Sequence, residues 1–194
     1  MEKNNALTNC YPEAKSVVVS GDIHGDFNEL VYKLCIQYQM TDTLLIVAGD
    51  CGFGFEKKAK HDFDSNLSDG IPRAYYWPNE PPVYDERKMD AIRSAHSIDI
   101  VITHTAPSCC ELQTKSGLTR WAADDPELLA DVQTERTTMD QLLHRLQADR
   151  HPISHWYYGH FHQSWHATID GVLYRMLDIM EFYYIHNIHE RPLP

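Results

Sequence analysis

Residues 20–30 read SGDIHGDFNEL. They follow the apolar run SVVVS at 16–20 and precede a segment whose apolar residues recur at helical spacing, so the stretch is a strand-to-helix turn. A plain turn needs glycine and a capping residue. This one also carries Asp22, His24 and Asp26. Aspartate and imidazole gathered where a strand ends are the side chains a metal ion would require.

The same arrangement recurs along the chain. Apolar segments at 16–20, 43–48, 98–103 and 154–158 are short, rich in Val, Ile, Leu or Tyr, and bounded by Gly, Asp, Pro or His, as buried strands are. The first runs into Gly21-Asp22-Ile23-His24-Gly25, and the second into Gly49-Asp50-Cys51-Gly52. The third ends in Thr103-His104-Thr105-Ala106-Pro107, and the fourth is followed by Gly159-His160-Phe161-His162. In layered α/β sheets, ligands bind outside the carboxyl ends of the strands. Asp22 and His24 stand two residues apart, as do His160 and His162, and in extended chain such pairs point to one side. Mixed Asp and His ligation suits manganese, iron(II) or zinc better than calcium or magnesium. Taken singly, each residue has an ordinary explanation: a turn carboxylate, a hydrogen-bonded core histidine, alternating hairpin positions. Their joint placement after four strands favours the metal reading.

Between these strands, residues 28–38 are expected to form a helix with Leu30, Val31, Leu34, Cys35 and Tyr38 on its apolar face and Asn28 as N-cap, with Asp26 better placed than Asp22 to be a capping carboxylate. Residues 85–95 and 133–148 read as further helices, the second with Met139, Leu142, Leu143 and Leu146 along one side. Asp170-Gly171, between SWHATID and GVLYRMLD, is a hairpin signal. Residues 55–82 read as an irregular excursion, rich in polar residues and then in aromatics and proline, and 189–194 as a loose tail. The whole fits one α/β domain over 1–194 with its core at 16–182.

Composition narrows the function. The 194-residue chain carries 17 Lys+Arg against 28 Asp+Glu, a formal charge of −11, which makes nucleic acid and anionic membranes poor partners. No apolar run is long enough to span a bilayer, and the first residues do not read as a signal peptide, so a cytoplasmic location is expected. The five cysteines form no CxxC pair, and Cys35 and Cys51 are expected to fill core space.

GDIHG, GDCG, THTAP and GHFH, in this order and each after an apolar strand, resemble the signature blocks of the calcineurin-like metallophosphoesterases over most of 16–182. The resemblance implies a four-layer sandwich of two mixed sheets flanked by helices. It implies two divalent metal ions (Mn2+, Fe2+ or Zn2+), one held by Asp22, His24, Asp50 and His162. The second would be held by Asp50, His104 and His160, with the Asp50 carboxylate shared. It further implies hydrolysis of phosphate mono- or diesters by a metal-bridging hydroxide. One block of that family, Gly-Asn-His followed by an acid, has no counterpart between GDCG and THTAP, so the chain reads as shortened in the middle. Asn66, His61 and Asn79 lie nearest the gap but lack the preceding strand and the Asn-His adjacency. That absence motivates an alternative: a phosphoesterase-like scaffold or interaction module binding one metal or none.

Overall fold

The computed structural model describes residues 11–52, 81–95, 97–110, 122–123, 125–185 and 191–192. Most of the excursion expected over 55–82 lies outside the described residues, as do His61, Asn66 and Asn79.

The chain alternates strand and helix, then ends in strands. In order, these are β1 (Ser16–Ser20), α1 (Phe27–Val31), β2 (Thr43–Val47), α2 (Glu86–Ala95), β3 (Ile100–Ile102) and α3 (Leu128–Ala148). They are followed by β4 (His155–Tyr158), β5 (Trp165–Ile169), β6 (Val172–Met176), β7 (Phe182–Ile185) and β8 (Arg191–Pro192). The strands form two mixed four-stranded sheets, β2-β1-β7-β8 and β3-β4-β6-β5. In the first, β1 pairs in parallel with β2 and antiparallel with β7. In the second, β4 pairs in parallel with both β3 and β6, and β5 closes antiparallel on β6.

Alternation along the strands builds the layers. Val18 and Val19 are both fully buried, yet on opposite faces. Val18 packs with Ile23, Phe182, Leu30 and Leu34 beneath α1, while Val19 joins Tyr157, Leu177 and Tyr183 between the sheets. On β4 the same rule turns Tyr157 inward and sends Trp156 and Tyr158 to the outer cluster with Met139, Leu143 and Leu146 of α3. The order is therefore helix, sheet, sheet, helices. Arg145 of α3 ties the last layer together through Asp149 at 2.6 Å, Asp90 at 2.7 Å and Glu86. Asp90 and Glu86 are mostly exposed, so those two pairs add little stability.

Several local expectations shift. Asp26, not Asn28, caps α1: its carboxylate accepts from Glu29 N at 3.1 Å. The helix continues beyond Val31 as a π-helical turn over Tyr32–Gln37. Leu30, Leu34 and Tyr38 pack inward, whereas Val31 and Cys35 face solvent, so Cys35 is not core filling. Cys51 does pack against the α1 cluster. Strand β3 is shorter than 98–103, and α3 begins five residues before the expected 133. The hairpin forms at Asp170 and Gly171, both with positive φ (49° and 83°), as a two-residue hairpin turn requires. Beyond residue 182, β7 occupies the middle of its sheet, and Arg191–Pro192, within the expected tail, pairs with it. Among the described residues, no helix is long and apolar enough to cross a membrane.

Candidate metal centre

Asp22 is the hub. It leaves β1 fully buried, and a buried carboxylate is costly unless its oxygens find donors. They find two: Oδ1 accepts from the backbone N–H of Asp50, and Oδ2 from that of His160, both at 2.8 Å. One side chain thus joins the turns after β2 and β4, which belong to different sheets. The glycines beside it make room. A Cβ on Gly49 would lie 2.3 Å from Asp22 Oδ1, and one on Gly159 would lie 2.8 Å from Oδ2.

The turn after β1 is locked to the turn after β2. The N–H groups of Ile23 and His24 both donate to the Asp50 carbonyl, at 2.8 and 3.0 Å, and Gly25 N donates to Cys51 O at 3.1 Å. Gly52 (φ 85°) passes so close that a Cβ there would meet Gly25 N at 2.1 Å. His24, His160 and His162 all hold positive φ, 46°, 71° and 52°. For a residue with a Cβ this conformation costs about 1–3 kcal/mol, and such strain gathers where function requires a particular direction.

That strain changes how the pairs point. Asp22 and His24 converge, with His24 Nε2 3.9 Å from Asp22 Oδ1. His160 and His162 do not share a side as extended chain would have it. The His162 ring meets that of His24, centroids 4.7 Å apart, with Nε2 3.9 Å from Asp22 Oδ1. The His160 ring instead stands 4.4 Å from that of His104. Asp22, His24 and His162 therefore bring three ligand atoms within 4.8 Å of one another, the sole such group of His, Cys, Asp and Glu among the described residues. Asp50 Oδ2 lies beside them, 4.0 Å from His24 Nε2.

The donor set fits a divalent ion. Metal–ligand bonds of about 2.0–2.2 Å span up to roughly twice that between ligands, so atoms 3.9 Å apart are within reach of one ion. Burial lowers the His162 pKa from its ordinary 6.5, the nearby His24 adds to the effect, and Asp22, Asp50 and Asp178 oppose it. The ring is thus neutral at neutral pH, as a metal ligand must be. Asp178 was not anticipated as a neighbour of the site. It follows β6 as Asp50 follows β2, and a reading of strand ends carried two strands further would have found it.

His104 is carried by β3 and pinned from behind. Its carbonyl accepts from Gly159 N at 3.1 Å, and the loop after it is held by α3. The buried Arg136 donates to the Pro107 carbonyl at 3.3 Å and to that of Cys110, while Asp140 accepts from Ser108. Arg136→Met is expected to take the donor from the Cys110 carbonyl, while the Pro107 carbonyl keeps the Cys110 N–H at 3.0 Å, and to cost about 1–3 kcal/mol in urea unfolding. An unchanged midpoint would mean the loop is held by other contacts.

Neither a family model nor a curated protein matches this chain.

Proposed function

We propose that this chain is a metal-dependent phosphoesterase with the calcineurin-like architecture, acting on phosphate mono- or diesters. The observation carrying the proposal is the meeting of Asp22, His24 and His162 within reach of one ion. Asp50 lies beside them and the His104–His160 pair next to them, all where β1 to β4 deliver their turns. In this reading Asp22, His24, Asp50 and His162 hold one divalent ion, and Asp50, His104 and His160 the second, as Mn2+, Fe2+ or Zn2+. Bound there, such ions supply Lewis acidity toward a phosphoryl oxygen and lower the pKa of water toward about 7.

The protein's own residues set the conditions. Two backbone N–H groups point at the oxygens of Asp22, and this holds the turns bearing Asp50 and His160 in register. His162, kept neutral by burial, offers a lone pair rather than a proton. Two carboxylates against two divalent ions leave the centre cationic, which attracts a phosphate dianion to an otherwise acidic protein. The free thiols Cys35, Cys109 and Cys110 accord with a reducing, cytoplasmic setting.

A second reading rests on a specific observation: only one three-ligand group forms among the described residues, and the sequence has no Gly-Asn-His block. A one-metal scaffold would account for both. The test is hydrolysis of p-nitrophenyl phosphate by manganese-loaded protein, with metal content measured on the same sample. The proposal expects two ions per chain and turnover that falls at least about 100-fold in His104→Ala. One ion or fewer, with no turnover above the variant, would establish the scaffold instead.

A further inference from the structure

Among the described residues, the layer between the two sheets is not filled at one rim. A cavity of about 440 Å³ opens there, within the range of small-molecule sites. It runs between the ends of β2 and β3, which are edge strands of different sheets. Ile46 pairs with Val19 and so shares its inward face, and Ala48 and Ile102 belong to the same inter-sheet cluster. These three form aliphatic walls. Asp50 and His104 belong to the turns that leave the two strands and complete the lining.

The polar character of the lining is narrower than its residue names suggest. The Thr103 hydroxyl donates to the Thr105 carbonyl at 2.5 Å and accepts from Trp156 Nε1 at 2.7 Å, so its hydrogen bonds are taken up by the protein. Among the described residues, no Lys or Arg lines the space. A second phosphate or a carboxylate would meet no cation among the described residues and would face the Asp50 carboxylate. An uncharged apolar group would gain by leaving water.

We infer that this cavity receives the organic group of the substrate, and that the substrate class is a phosphoester of an uncharged apolar alcohol or phenol. The inference rests on the phosphoesterase reading, because it takes Asp50 and His104 to mark where the phosphoryl group sits. It excludes nucleoside di- and triphosphates and sugar bisphosphates as preferred substrates, since their further anionic groups would enter an acidic, aliphatic cleft.

The test is binding of two non-hydrolysable probes, phenylphosphonate and methylphosphonate, to the manganese-loaded full chain by calorimetry. Phenylphosphonate is expected to bind roughly tenfold or more tightly than methylphosphonate. Ile46→Trp should fill the space and bring the two affinities together. Ile46→Phe serves if the larger ring prevents folding. Equal affinities in the parent protein, or a preference that survives a folded Ile46 variant, would overturn the inference and show a mere packing gap, while the phosphoesterase reading would stand. Binding of neither probe would overturn both.

Discussion

Asp22→Ala is expected to be the most damaging single substitution in this protein, abolishing metal retention and destabilising the fold together. The carboxylate is fully buried and accepts two backbone hydrogen bonds of 2.8 Å from turns in different sheets. Removing it strands two N–H groups, each costing about 1–3 kcal/mol, for a total of about 2–6 kcal/mol. That is a large share of the roughly 5–15 kcal/mol that holds a domain together. Asp22→Asn should be nearly as harmful, because the amide offers one acceptor and turns its NH2 against the second donor. Asp50→Asn provides the contrast. Its side chain is 41% exposed, and its backbone groups make the inter-turn bonds whatever the side chain, so it should weaken metal binding with a much smaller loss of stability. Urea unfolding and manganese titration of the three variants check this. Equal stability losses at positions 22 and 50 would contradict the assignment of Asp22 as the hub.

Gly49→Ala is the second large effect, and it acts through space alone. The added methyl would lie 2.3 Å from Oδ1 and 2.4 Å from Cγ of Asp22, far inside van der Waals contact. Asp22 cannot swing aside without giving up Asp50 N or His160 N, so the carboxylate leaves its position or the β2 turn does. Overpacking of this kind costs about 1–3 kcal/mol, and metal affinity should fall by at least about 100-fold, since 1.4 kcal/mol is tenfold and the ligand itself is displaced. Gly171→Asn, at an open hairpin position with φ 83°, is the control and should leave metal binding unchanged. Wild-type affinity in Gly49→Ala would show that the Asp22 carboxylate is free to relocate.

The strand ends were legible in the sequence because a buried strand must be apolar, while the residue that ends it is free to be chemical. GDIHG, GDCG, THTAP and GHFH marked four such ends, and the structure brings Asp22, His24 and His162 together from two of them. The directions of the side chains were not legible. His160 and His162 look equivalent at a spacing of two, yet left-handed backbone at both sends one ring to His104 and the other to His24. Periodicity could not tell which flank of α1 is inward, since Val31, Tyr32, Cys35 and Ile36 are as apolar as Leu30 and Leu34. The π-helical turn also breaks the 3.6-residue spacing on which such a judgement rests. Within α3, Glu135 and Arg136 read as surface yet are buried, Arg136 by its bonds to backbone carbonyls of the His104 loop. Asp178 was passed over because it follows a hairpin rather than a helix-flanked strand.

The most direct trial of the account is an anomalous-difference map from crystals of the protein soaked in manganese. A peak is expected about 2.0–2.2 Å from Asp22 Oδ1, His24 Nε2 and His162 Nε2 at once. A fully soaked crystal with density bounded by other residues, or with none between those three atoms, would contradict it.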